Sequence, residues 1–184
     1  MIELHKITSE NFDAVLKLNV TDEQKDLVDS SIYCLASAYV DVTTREKPPM
    51  IFAIHHEKEV IGLVEIGFYQ LSDDSFLTEN FGDKSTYEIN TFLIDQHHQG
   101  KGLGKLALKK IIEYIRTFPQ GAADAISVSY WQINEAAKGV YVSVGFEETG
   151  EKWDGETFDA WDESRTDVEF VEVGARLGLK DLKI

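Results

Sequence analysis

Residues 87–104 read Tyr87-Glu-Ile-Asn-Thr-Phe-Leu-Ile-Asp-Gln-His-His-Gln-Gly-Lys-Gly-Leu-Gly104. The β-branched and aromatic residues between Tyr87 and Ile94 favour a strand. The apolar residues that follow recur at helical spacing and predict one buried stripe, formed by Leu103, Leu106, Ala107, Ile111, Tyr114 and Ile115. The stretch therefore predicts a strand that leads through a glycine loop into a helix.

The glycine loop, residues 99–104, predicts an anion-binding site. Its glycines allow backbone N–H groups to converge at the N-terminal end of the following helix, where the helix dipole is positive. Two common phosphate motifs are excluded. A dinucleotide fingerprint counted from Gly100 needs glycine where Lys105 stands, and a P-loop needs Ser or Thr where Leu106 stands.

A second motif lies about thirty residues downstream of the loop. It has the form Asn134-x-x-Ala137-x-x-x-Tyr141-x-x-x-Gly145-Phe146, in a segment predicted to be helical from Asn134 to Val144. Asn134 and Tyr141 are two helical turns apart, so both side chains project from the same face.

These two motifs, in this order, resemble those of the GNAT superfamily of N-acetyltransferases. The resemblance covers roughly residues 1–150, and Leu18–Lys25 with Leu35–Tyr39 is most similar to bacterial spermine/spermidine or diamine acetyltransferases. It implies an α/β fold of the α+β mixed-sheet kind, with roughly six or seven strands flanked by about four helices. It also implies direct transfer of an acetyl group from acetyl-CoA to a primary amine, with a cationic polyamine or diamine as acceptor.

The resemblance further implies roles for individual residues. Tyr141 matches the position that protonates the departing thiolate, although a core tyrosine would explain it too. Glu88 stands eleven residues before Gln99, as the general base does in histone-type members. Glu65, or a water chain ending on either carboxylate, is the alternative to Glu88 as base. The implied acetyl-CoA contacts are Phe92, Leu93, Ile94, Gln99, Gly100, Lys101, Gly102, Leu103, Gly104, Lys105, Asn134 and Lys138.

Composition narrows the possible partners. The chain has 33 Asp and Glu against 18 Lys and Arg, a formal charge of -15, which argues against nucleic acid. This charge fits either a soluble surface or attraction of a cationic substrate. The single cysteine, Cys34, is expected to be a buried packing residue, and no zinc-site spacing is present, so we expect no metal. His97 and His98 are assigned no role.

The remaining sequence predicts one acetyltransferase domain over 1–184, with element order ααβββαβαβ. The predicted helices before the hairpin cover Ser9–Asn19 and a run from Thr21 to about Tyr39, and the hairpin strands are Met50–His55 and Val60–Tyr69. The later elements are a polar loop over Ser72–Ser85, a strand over Ala125–Tyr130 and, in the tail that begins near Lys152, a last strand within Val168–Leu179.

Neither a signal peptide nor a membrane helix is predicted, and the expected location is the cytoplasm. Whether the chain forms a homodimer is left open. Two other functions also remain open at this point: acetylation of another amine, such as an aminoglycoside or a protein N-terminus, and acetyl-CoA binding without transfer.

Overall fold

The computed structural model describes residues 1–70, 85–154 and 171–179. The strands within these ranges are β1 (Ile2–Lys6), β2 (Met50–His56), β3 (Glu59–Gln70), β4 (Ser85–Ile94), β5 (Ala125–Trp131), β6 (Glu147–Asp154) and β7 (Val171–Gly178). The α-helices are α1 (Phe12–Leu16), α2 (Ser31–Thr44), α3 (Leu103–Ile115) and α4 (Glu135–Val142), and 3-10 turns lie at Asp22–Gln24 and Gln96–His98.

The strands form one mixed sheet in the order β1-β2-β3-β4-β5-β7-β6. Every neighbouring pair is antiparallel except β4 and β5, which are parallel because α3 forms the crossover between them. This confirms the predicted α/β fold with a mixed sheet, and the seven strands and four helices of the described residues agree with the expected numbers.

The β4–β5 pairing is short, and this decides where a cleft can form. Only Thr86, Tyr87 and Glu88 pair with β5, opposite Ala125, Ile126 and Ser127, although β4 continues to Ile94 and β5 to Trp131. On its other side β4 remains paired with β3, with a register shift between Glu65 and Ile66. The ends of β4 and β5 therefore separate beyond Glu88.

The helices cover both faces of the sheet. Helices α3 and α4 bury Leu108, Ile111 and Tyr141, among others, in the larger core, which reaches β7. Helices α1 and α2 bury Val15 and Cys34 in a smaller core on the other face. Cys34 is 1% exposed, as its predicted packing role requires, and burial raises the pKa of its thiol to about 11.

The structure corrects three details of the predicted elements. Strand β1 was not predicted; it adds an edge strand to β2, pairing Leu4 with Ile54. The helix predicted from Thr21 was wrong, because Thr21 begins only a 3-10 turn, and α2 starts at Ser31, capped by the Ser30 hydroxyl, which accepts from the Tyr33 N–H at 3.2 Å. Helix α1 is one short turn, Phe12–Leu16, and does not fill Ser9–Asn19.

The predicted apolar stripe of α3 faces the core except at Leu106. Leu106 is 52% exposed, whereas Leu108 and Ile112 are buried and face the sheet. The stripe is therefore wider than the single row predicted, as is usual for a helix packed flat on a sheet.

The tail supplies a strand where one was expected. Strand β7 lies within the predicted Val168–Leu179 and inserts between β5 and β6. Most of the predicted polar loop lies outside the described residues, as does the interval 155–170. Among the residues that are described, no helix has both the length and the apolar character needed to span a membrane.

Candidate active site

A cleft of about 350 Å³ opens where β4 and β5 separate. Its walls come from four parts of the chain: the segment between α1 and α2, the end of β4, the glycine loop with the start of α3, and α4. The lining residues are Val20, Gln24, Val28, Phe92, Leu93, Ile94, Gln99, Gly100, Gly102, Gly104, Lys105, Asn134, Ala136, Ala137, Val140 and Tyr141.

The glycine loop presents backbone to this cleft. Gly100 and Gly102 have φ of 72° and 75°, a region that side-chain-bearing residues rarely adopt. Gly102 is the N-cap of α3 and provides no side chain to bond the N–H groups of the first turn. Those groups have no intrahelical acceptor either, so they can bind an anion in the cleft.

The surrounding protein does not itself exclude a side chain at the glycines of the loop. A Cβ added at Gly102 would meet no protein atom within 4 Å, and at Gly104 its nearest neighbours would lie at 3.8 Å. The protein itself thus leaves room. What a larger residue would disturb is the positive φ of Gly102 and the space that a bound anion would fill.

Gln99 braces the loop from within the protein. Its Nε2 donates to the Ile94 carbonyl at 2.8 Å and to Gln24 Oε1 at 2.9 Å, which uses both amide hydrogens. Gln99 lines the cleft, but its nitrogen is already engaged in holding the loop against the end of β4.

Three of the predicted coenzyme contacts lie outside the cleft lining. Lys101 donates from Nζ to the His97 carbonyl at 2.7 Å. Leu103 packs into the main core. Lys138 forms an ion pair with Glu148 at 2.8 Å. The other nine predicted contacts are brought together around the cleft.

Asn134 and Tyr141 both lie in the cleft wall, on the α4 side. Asn134 caps this helix, with Oδ1 accepting from the Ala137 N–H at 3.0 Å. Because this hydrogen bond fixes the side-chain amide, it also fixes the direction in which the amide nitrogen points. Tyr141 is 6% exposed and stacks on Tyr130 at 5.7 Å. Burial raises the pKa of Tyr141, so its hydroxyl remains protonated at physiological pH.

Glu88 lies on β4 four residues before Phe92, outside the cleft lining. Burial, together with the charges of Glu172 and Glu65, raises the pKa of its carboxyl to about 8, against the opposing effect of Arg45. A rise of roughly 3.3 Å per residue places Glu88 about 13 Å along the strand from Phe92.

Glu65 is nearer to the cleft along the sheet, because its strand partner is Thr91, the neighbour of Phe92. It is 6% exposed, and its carboxylate accepts from Asn90 Nδ2 at 3.2 Å. Burial raises the pKa of Glu65, and the Asn90 hydrogen bond works in the opposite direction.

The cleft has features that acetyl-CoA requires. The start of α3 offers unpaired backbone donors for a pyrophosphate, and the open space over Gly100 and Gly102 permits close approach. Phe92–Ile94 does not pair with β5, and apart from the Ile94 carbonyl, which accepts from Gln99, the backbone on this side of β4 can form main-chain hydrogen bonds to an amide-containing chain lying alongside it.

Comparison with known proteins agrees with this geometry. The model of the acetyltransferase (GNAT) family matches residues 12–146. The chain therefore belongs to this family, and it is an acetyl-CoA-dependent N-acetyltransferase.

Two curated relatives come from Bacillus subtilis. A probable spermine N(1)-acetyltransferase of subspecies natto and a spermine/spermidine N(1)-acetyltransferase of strain 168 are each 27% identical over 150 residues, covering 82% of this chain and 90% of the relative. Among solved structures, the Escherichia coli ribosomal-protein-S18-alanine N-acetyltransferase aligns with TM-score 0.63 at 14% identity over 100% of both chains. A Bacillus subtilis acetyltransferase in complex with CoA aligns with TM-score 0.60 at 18% identity over 97% of both chains. These structural likenesses show the fold.

The sequence analysis assigns no coenzyme contact to one wall of the cleft. Val20, Gln24 and Val28 lie in the segment between α1 and α2, about 70 residues from the glycine loop along the chain. The Thr21–Gln24 pattern predicts the start of a helix, and nothing local indicates which distant element this segment contacts.

Replacing Gly102 with Val should reduce the affinity for CoA at least tenfold, because the side chain would occupy the space over the loop and the backbone would leave its φ of 75°. That estimate takes about 1.4 kcal/mol as tenfold in affinity. Isothermal titration with CoA measures the effect. Gly150→Val is the matched control, since Gly150 has φ of 82° and open space around it but lies on β6. It should bind CoA like the parent, and equal affinity for both variants would rule out the anion-site assignment.

Proposed function

We propose that this enzyme acetylates a primary amine of a polyamine or diamine. The observation that carries the proposal is a group of interacting carboxylates on three strands of the sheet, two of which, β3 and β4, are neighbours. Glu65, Glu88 and Glu172 lie on β3, β4 and β7, and the pKa of Glu88 is raised partly by the charges of the other two. Negative charge gathered in this way favours a polycationic acceptor.

Two further carboxylates add to this group, because the charges of Asp41 and Asp29 also raise the pKa of Glu65. Several negative charges suit an acceptor that has more than one ammonium group. The names of the two Bacillus relatives point to the same substrate class.

Acetyl transfer to an amine requires three contributions from the protein. An alkylammonium with a pKa near 10.4 leaves only about one molecule in a few thousand nucleophilic at neutral pH, so a proton must be removed. The amine must then be held in line with the thioester that acetyl-CoA supplies. The oxyanion and the departing thiolate must finally be stabilised, by backbone N–H groups and by a proton donor.

We assign proton removal to Glu88, acting through a chain of waters because it lies outside the cleft lining, about 13 Å along β4 from Phe92. The ionised form of a carboxyl whose pKa is raised to about 8 is a far stronger base than an exposed glutamate, and this form becomes the major one as pH rises through 8. Glu65 is the alternative, but Asn90 already stabilises its carboxylate by a hydrogen bond. Proton donation to the leaving sulfur is assigned to Tyr141, whose hydroxyl has no hydrogen-bond partner among the described residues.

We further propose that residues 1–184 act as one domain and that the reaction takes place in the cytoplasm. The position of β7 between β5 and β6 supports the first point, since the tail then supplies a strand inside the sheet. The second rests on the lone cysteine, Cys34, which cannot form an internal disulfide.

An amine panel tests the proposed acceptor. With saturating acetyl-CoA, spermine, spermidine and a diamine should be acetylated with kcat/KM at least about tenfold above that of an aminoglycoside or a peptide N-terminus, the factor given by about 1.4 kcal/mol of differential transition-state binding. Mass spectrometry of the products and release of free CoA measure it. Preference for a peptide or an aminoglycoside would contradict the assignment.

Tyr141→Phe should lower kcat by roughly 10²- to 10⁴-fold, because it removes the proton donor and keeps the ring. Tyr130→Phe is the matched control: Tyr130 stacks on Tyr141, but its hydroxyl donates to Glu148 at 2.8 Å. Stopped-flow measurement of the transfer step separates chemistry from product release. If the two variants transfer at the same rate, Tyr141 has only a packing role.

Glu88→Gln should lower kcat by roughly 10²-fold or more near neutral pH and should remove an inflection near pH 8 from the pH profile. Glu88 ionises as pH rises through its raised pKa, so the parent gains activity there, whereas the variant follows only the deprotonation of the amine itself. Glu65→Gln is the matched control and should keep the inflection. The opposite pattern would move the base to Glu65, and a raised KM with kcat retained would mean that Glu88 only binds the acceptor.

A further inference from the structure

The segment between α1 and α2 is bonded to the turn that carries the glycine loop. The Gln96 N–H donates to the Asn19 carbonyl at 2.8 Å, and the Asn19 N–H donates to Asp95 Oδ2 at 3.0 Å. Asp95 is 8% exposed, and its other oxygen accepts from the backbone N–H of His97 at 3.0 Å. Two distant parts of the chain therefore meet as one wall of the cleft.

Within this segment, Gln24 is the residue that contacts the glycine loop, through Gln99. Its Oε1 accepts from Gln99 Nε2 at 2.9 Å and, more weakly, from the Thr21 N–H at 3.4 Å. The backbone of Gln24 is itself fixed, because its N–H donates to the Thr21 carbonyl at 2.9 Å and its carbonyl accepts from the Leu27 N–H at 2.9 Å. The acceptor oxygen is thus held in place before any ligand arrives.

We infer that Gln24 is a positioning residue for acetyl-CoA, acting through Gln99. Gln99 has two amide hydrogens, and without Gln24 its amide would keep, among the described residues, the bond to the Ile94 carbonyl alone. The amide could then rotate, and the backbone that follows it would lose part of its fixed orientation. That backbone includes Gly100 and Gly102, whose N–H groups must converge on the coenzyme.

Loss of the Gln24 contact should affect coenzyme binding and the chemical step differently. Gln24 acts on the loop at the start of α3, whereas Tyr141 and the carboxylates that serve the chemistry lie on α4 and the sheet. Loss of the Gln24 contact should therefore weaken coenzyme binding and leave the rate at saturating acetyl-CoA unchanged. A general loss of structure would lower both.

Gln24→Ala should weaken CoA binding by about three- to tenfold, the factor expected for one ordinary hydrogen bond. Isothermal titration with CoA measures this effect directly, so its outcome does not depend on which amine is the acceptor. Gln24→Leu, which keeps the bulk of the cleft wall, should lose as much affinity as Gln24→Ala. Glu23→Ala is the matched control: it lies in the same 3-10 turn, is exposed and does not line the cleft.

A double-mutant cycle with Gln99 shows whether Gln24 acts through it. In a Gln99→Ala background, Gln24→Ala should cost less than about twofold further affinity, because the partner is already gone. Steady-state assays should show a raised KM for acetyl-CoA with kcat within about twofold of the parent. The inference is overturned if Gln24→Leu binds CoA like the parent, if the effects of the two substitutions multiply, or if kcat falls while CoA affinity is retained.

Discussion

The separation of β4 from β5 is the constraint on which the rest of the site depends. The two strands pair only at Thr86–Glu88, while β4 remains attached to β3 along its length. The freed edge of β4 and the start of α3 then face each other across the cleft. Without the separation, Phe92–Ile94 would be paired with strands on both sides, and the glycine loop would have no space in front of it.

The fold keeps this gap open by burying large apolar side chains on either side of it. Ile111 and Ile115 of α3 and Val173 and Leu177 of β7 belong to one core that spans the sheet. Helices α3 and α4 are therefore fixed relative to β4, and the loop, Asn134 and Tyr141 keep their places around the cleft. On the opposite face, Glu65 and Glu88 are withdrawn from water. Because burial disfavours the charged form, the pKa of both carboxyls shifts upward.

Sequence predicted the parts of the site that are local in the chain. The glycine loop and the Asn134–Tyr141 spacing each lie within one turn or one helix, so their patterns determine their geometry. Strand β1 was not predicted because it buries only Ile2 of its five residues, so its sequence shows little apolar alternation. Gln24 was not predicted because its partner Gln99 is 75 residues away, and pairing over such a distance depends on the whole fold. The occupied amide of Gln99 and the ion pair of Lys138 could not be read from sequence for the same reason.

The central claim is that backbone N–H groups at the start of α3 bind the coenzyme in the gap between β4 and β5. Titration of ¹⁵N-labelled protein with CoA, followed by backbone amide chemical shifts, tests this most directly. The account predicts that the largest shifts occur at residues 100–105 and along Phe92–Ile94, with Gly150 on β6 unaffected. Large shifts confined to other parts of the sheet, with the amides of Gly100 and Gly102 unmoved at saturation, would contradict it.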